Sequence, residues 1–219
     1  HYFELVERYY IAQKELINLN SLYYDLTELL RLMYKNERAE ETIKKVIYSV
    51  DTPQSLMVSA CTLLGNIYSE TRKNEEAYKY YQKAIESLEE GTEGDLLAEL
   101  YFKYALANDE RGDYKTALEY YTKCISIPDN NSYIALSYSN MGACYMDNEN
   151  FSDASGCFEK AYELEKNANN YDGIYYASSN LAKLYLETVP SKALTYLVEA
   201  KQSAEFLNED YYILDSSVA

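Results

Sequence analysis

The stretch LGNIY at residues 64–68, followed by AYKYYQKA at residues 77–84, decides the fold. In the second segment two small residues, Ala77 and Ala84, stand seven positions apart, with the large Tyr81 between them. Side chains three, four and seven positions apart lie on one face of an α-helix. The two segments therefore predict a pair of helices whose small residues allow close packing and whose large residues fill the space beside them.

The same pattern recurs along the chain, with a second clear copy that begins with MGACY at residues 141–145. In four of five copies, the small residues of the first and second helix are 12 positions apart. Five copies in register predict a helical repeat fold. The first-helix position is held by Thr27, Gly65, Ala105, Gly142 and Ala182, the second-helix position by Ala39, Ala77, Ala117, Ala154 and Ala193, and the space between hairpins is expected to be filled by Tyr81, Tyr121, Phe158 and Leu197.

These copies resemble the tetratricopeptide repeat, whose signature is Leu-Gly-x-x-Tyr followed by Ala-x-x-x-Phe-x-x-Ala. The resemblance covers nearly the whole chain. It implies an all-α fold, an α-α superhelix in which antiparallel helix hairpins stack into a solenoid. The period here is 37–40 residues, whereas the usual period is about 34 residues. Because the spacing of 12 within a copy is kept, the extra residues fall between hairpins, as about one added helical turn per repeat.

The repeat positions predict a single solenoid over residues 1–219 with five hairpins and a half-repeat at each end. Such arrays need polar caps at their ends, and the sequence shows none, so we expect a fragment of a longer protein. The predicted parts are a half-repeat at 1–19, repeats at 20–51, 52–92, 93–129, 130–169 and 170–208, and the start of a further helix at 209–219.

The charge of the chain limits its partners. It has 20 Lys and Arg against 36 Asp and Glu, a net charge of −16. Phosphate backbones are bound through clusters of Lys and Arg, and no basic stripe is present. We therefore expect no nucleic acid to bind this segment. No run of 18 apolar residues occurs, so no membrane span is predicted.

Enzyme chemistry is the least favoured function. His1 is the one histidine, which removes most Ser-His-Asp and His-ligated metal schemes. The sequence has no Gly-rich phosphate loop and no paired-carboxylate motif above its acidic background. We predict no catalytic residue, no metal and no cofactor.

The four cysteines are predicted to be buried thiols. Cys61, Cys124, Cys144 and Cys157 lie inside apolar helical patterns, and none forms a C-x-x-C pair. Unpaired cysteines are among the most buried residues in proteins. A bridge between Cys144 and Cys157, across one hairpin, remains the alternative.

The resemblance implies that the first helix of each hairpin lines a concave groove that binds a partner. Asn donates and accepts hydrogen bonds at once, so it can hold an extended peptide by its main chain. Carboxylates in the last turn of a helix oppose the helix dipole, which costs about 0.3–1 kcal/mol each, and a Lys- or Arg-bearing partner accounts for them. The predicted binding residues are Asn66, Lys103, Asn140, Asn180 and Lys183 in one row, and Glu70, Glu110, Asp147 and Glu187 in the other.

Each predicted row also has a simpler explanation. Asn is common at these positions in the repeat family, and the acidic row can be an ordinary solvated helix surface. Two functions remain open at this point. The first is a non-enzymatic scaffold that binds a protein or extended peptide in its groove. The second is a peptide-sensing regulatory module of a larger bacterial signalling or transcription regulator.

Overall fold

The computed structural model describes residues 2–89, 91, 94–128 and 131–216, and only the backbone of residues 2, 131, 132 and 208–216. Within these ranges every regular element is an α-helix, as the repeat pattern predicts. The helices are α1 Tyr2–Gln13, α2 Leu16–Leu32, α3 Asn36–Ile47, α4 Gln54–Glu70, α5 Asn74–Glu86, α6 Gly94–Glu110, α7 Tyr114–Ile125, α8 Asn131–Asp147, α9 Phe151–Asn167, α10 Tyr171–Tyr185 and α11 Pro190–Ser216.

The chain divides into two compact units, His1–Arg111 and Gly112–Ala219. In the first, called unit 1, α2 packs on α3 and α4 packs on α5. In the second, unit 2, α8 packs on α9 and α10 packs on α11. Helices that follow one another in the chain are therefore the packing partners, which is the arrangement of helical hairpins.

Small residues allow the helices of a hairpin to approach closely. A Cβ atom on Gly65 would come within 2.6 Å of the Tyr81 ring, and one on Gly142 within 2.6 Å of the Phe158 ring. Both rings are buried, with Tyr81 2% and Phe158 0% exposed. Leu197 was expected to fill the space between hairpins, but that expectation is wrong because its side chain is 49% exposed.

Four of the five first helices share one length. The helices α2, α4, α6 and α8 each have 17 residues, and the small residue stands at the twelfth position of each. The boundary predicted at residue 20 is late, since α2 begins at Leu16. The further helix predicted at 209–219 is also corrected, because α11 continues without a break through Ser216. Residues 217–219 lie outside the described part.

The starts of α3 and α5 in unit 1 differ from those of α7 and α9 in unit 2. In unit 2, Asp113 and Asn150 cap α7 and α9 by accepting a hydrogen bond from the main-chain N–H groups of Thr116 and Asp153. In unit 1, Lys35 and Lys73 precede α3 and α5 and make no side-chain capping bond. A lysine has no acceptor atom, so it cannot cap a helix start.

All four cysteines are thiols, so the alternative bridge between Cys144 and Cys157 is not formed. Three of them are buried and Cys157 is half-buried, as predicted. Burial raises the pKa of Cys61 to about 11, which makes its thiol a poor nucleophile. Among the described residues, no helix is long and apolar enough to cross a membrane.

Candidate functional site

Asn66 joins three helices of unit 1 through its side-chain amide. Its Nδ2 donates to Glu99 on α6 at 2.7 Å. Its Oδ1 accepts from the hydroxyl of Tyr81 on α5 at 2.9 Å. An Asn amide has two N–H donors and two lone pairs, so one donor and one acceptor position remain for a ligand. The side chain is half-buried, and the two bonds fix its orientation.

Arg31 forms a second connection in unit 1, between α2 and α4. Its guanidinium donates to Glu70, the last residue of α4, at 2.7 Å and to Glu28 on α2 at 3.3 Å. Partial burial lowers the pKa of Arg31, because it disfavours the charged form. The hydrogen bonds to the two carboxylates have the larger effect, so the pKa is raised overall. One cation therefore holds two carboxylates, and its Nε is buried without a hydrogen-bond partner.

The pKa values of two tyrosines in unit 1 respond to nearby carboxylates. Burial raises the pKa of Tyr81, and the negative charges of Glu99, Glu70 and Glu110 raise it further. Burial raises the pKa of Tyr24 to about 12, with added effects from Glu28 and Glu99. We call this surface the acidic face of unit 1. It consists of Glu28, Glu70, Glu99, Glu110 and Asn66, with Arg31 and the half-buried Lys103 as its cations.

Unit 2 holds the other five predicted residues. In the described part of the chain, no hydrogen bond or ion pair joins any two of these five side chains. Asn140 and Asn180 are half-buried on α8 and α10, and Asp147 is the exposed last residue of α8. Lys183 is exposed on α10. Glu187 was expected in the last helical turn, but α10 ends at Tyr185, so this carboxylate lies in the turn that follows.

The structure adds residues that the sequence did not indicate. Glu99 contacts Asn66 from 33 positions away, which is less than one repeat. Arg31 and Glu70 are 39 positions apart, which is about one repeat. A search of the sequence for opposite charges separated by one period finds Arg31 and Glu70. It does not find Asn66 and Glu99, because Asn66 is uncharged.

Comparison with known proteins identifies the family. Residues 58–129 match the family model described as tetratricopeptide repeat. This part of the chain is a tetratricopeptide repeat region. No curated protein matches the chain in sequence. The family consists typically of non-catalytic modules that bind proteins or peptides, so the fold is that of a protein-interaction scaffold.

Solved structures share the fold of this chain at low sequence identity. BtubC (BKLC) from P. vanneervenii is 19% identical with a TM-score of 0.76, over 94% of this chain and 88% of that one. A MamA protein is 19% identical with a TM-score of 0.67, over 85% and 92%. YrrB, described as a TPR protein with an unusual peptide-binding site, is 22% identical with a TM-score of 0.62, over 87% and 91%.

Proposed function

We propose that the protein binds a Lys- or Arg-bearing segment of a partner protein on the acidic face of unit 1. The observations that support the proposal are the contact of Glu99 with Asn66 and the sharing of Arg31 by Glu28 and Glu70. Like charges brought together repel one another, so their grouping is favourable only with a cation between them. Arg31 supplies one cation at the edge of the group that contains Glu28 and Glu70.

Asn66 provides a main-chain contact for the same partner. Its remaining N–H can donate to a peptide carbonyl and its remaining lone pair can accept from a peptide N–H. Because Glu99 and Tyr81 already hold the amide, a partner does not have to order this side chain. Binding to a side chain that is already ordered avoids part of the entropic cost of association.

The predicted residues of unit 2 extend the proposal along the chain. Asn140 and Asn180 are half-buried and have polar atoms to offer to a peptide main chain. Asp147 is exposed at the end of α8, as Glu70 is at the end of α4. We propose that these residues hold the partner by the same two kinds of contact.

Calorimetric titration with designed peptides tests the proposal. The probes are peptides in which lysine alternates with alanine, and the same peptides with every lysine acetylated. The lysine peptides are expected to bind and the acetylated peptides to bind much more weakly, and the difference should shrink as salt rises.

A matched pair of double variants separates the site from the overall charge. Glu70→Gln with Glu110→Gln should weaken binding by roughly 0.4–2 kcal/mol, a typical range for two exposed ion pairs. The control, Glu41→Gln with Glu76→Gln, removes the same charge from exposed positions of unit 1 outside the acidic face. Equal weakening by both pairs would mean that only net charge attracts the peptide, and the proposal would be wrong.

A further inference from the structure

A cavity of about 430 Å³ lies in unit 2, where the turn between α8 and α9 adjoins the turn between α10 and α11. Pockets that bind small ligands or side chains begin at about 300 Å³ and are mostly apolar. The walls of this cavity are formed by Met146, Phe151, Leu184, Tyr185 and Leu186, with Lys183, Glu187 and Thr188 beside them.

The inner wall is fixed by the core. Met146, Leu184 and Tyr185 pack against a buried cluster that includes Phe158. The Tyr185 hydroxyl donates to Glu159 at 2.9 Å, and its ring stacks on another aromatic ring. A wall held in this way is present before any ligand arrives, which lowers the cost of binding.

The rim of the cavity exposes large apolar side chains to water. Phe151, the first residue of α9, is 57% exposed, and Leu186 is 58% exposed. Exposed apolar groups beside a cavity are typical of a surface that binds a partner. One apolar side chain of a partner, inserted into the cavity, would cover both Phe151 and Leu186.

Unit 1 shows that the fold does not require this chemistry. It has a cavity of about 530 Å³ at the matching place, between the α2–α3 and α4–α5 turns. Counted from the small residues of each repeat, Asn36 corresponds to Phe151 and Ile67 corresponds to Leu184. The cavity of unit 1 is lined by Lys35, Arg38 and Lys73 among others. Repeat geometry therefore forms the cavity in both units, while unit 2 has Phe151 where unit 1 has Asn36.

The charges at the rim indicate what flanks the inserted group. Lys183 and Glu187 are both exposed and lie beside the cavity. They are four positions apart, but α10 ends between them, and no ion pair joins them among the described residues. We infer that the cavity binds a bulky apolar side chain of a partner protein, in a segment where an acidic residue and a basic residue flank that side chain. This site is separate from the acidic face of unit 1 and does not depend on it.

Methionine methyl NMR tests the inference, because Met146 lies in the cavity wall. The chain has 4 methionines, and Met33 and Met57 in unit 1 serve as internal controls. The probes are the capped pentapeptides Gly-Asp-Phe-Lys-Gly and Gly-Lys-Phe-Asp-Gly, and both sequences with alanine in place of phenylalanine. At least one phenylalanine peptide should shift the Met146 signal to saturation while the Met33 and Met57 signals stay in place.

Matched variants make the result specific. Phe151→Asn installs the residue that unit 1 has at this position, and should weaken binding by roughly tenfold or more because the apolar contact is lost. Leu136→Asn, on an exposed apolar residue of α8 outside the cavity wall, should leave binding unchanged. An unmoved Met146 signal, an equal shift with the alanine peptides, or unchanged binding by Phe151→Asn would each overturn the inference.

Discussion

The close approach of α8 and α9 at Gly142 allows a sharp test of the packing. An alanine at this position would place its Cβ 2.6 Å from two atoms of the Phe158 ring. The ring is fully buried and contacts the core of unit 2, so it cannot move aside into water. Overpacking of this kind costs about 1–3 kcal/mol.

The same change also has a favourable effect, which sets the net magnitude. Alanine in a helix interior is more stable than glycine by about 0.5–1 kcal/mol. Gly142→Ala should therefore lower the free energy of unfolding by roughly 0.5–2 kcal/mol. Gly156 in α9 provides the control, because a Cβ there meets nothing within 4 Å. Gly156→Ala should raise the free energy of unfolding by about 0.5–1 kcal/mol.

Urea unfolding followed by circular dichroism measures both variants. The two substitutions are chemically identical and occur in the same unit. Opposite changes in the free energy of unfolding would therefore reflect only the space around each glycine. Phe158→Leu should relieve the clash, so the cost of Gly142→Ala should fall in that background. If Gly142→Ala stabilises the protein as much as Gly156→Ala does, the close approach of the two helices is not real.

Four further predictions concern other parts of the molecule. Gly173→Ala should change the free energy of unfolding by less than about 1 kcal/mol in urea, because the new Cβ would meet only the end of the flexible Glu165 side chain and alanine is favoured over glycine in a helix. The pKa of Tyr24 is raised to about 12, so the unfolded chain loses this proton first. Stability should therefore fall as pH rises above about 10, and Tyr24→Phe should reduce the slope. Thiol titration in denaturant without reductant should count four thiols per chain, and a count of two would reveal a bridge. Arg31→Gln leaves Glu28 and Glu70 without their cation, so lysine peptides should bind more tightly and with a steeper salt dependence, as calorimetry can show.

The fold could be predicted from the sequence because its determinants are local and periodic. The small residues Gly65 and Gly142 and their partners Tyr81 and Phe158 are placed as the pattern requires. The pattern failed at Leu197, which has the right spacing but is half-exposed in the structure. Spacing tells which helix face a residue occupies, but burial depends on whether another helix covers that face.

The candidate site could be predicted only in part. The acidic residues at the ends of α4, α6 and α8 follow from the period, since the three helices have the same length. The partners of Asn66 do not, because Glu99 reaches it from a different place in its repeat. Such a contact is set by side-chain length and helix tilt, which a single sequence does not state. Glu187 was misplaced for a simpler reason, the early end of α10.

The uncapped starts of α3 and α5 bear on how the protein opens. The first N–H groups of a helix have no partner within it, and Lys35 and Lys73 leave those of unit 1 to water. A positive charge at this end also opposes the helix dipole. Amide hydrogens in the first turns of α3 and α5 should therefore exchange with solvent ahead of those in α7 and α9, where Asp113 and Asn150 cap the starts. We therefore expect local unfolding in unit 1 to begin at the turns that border its cavity, ahead of the core beneath it.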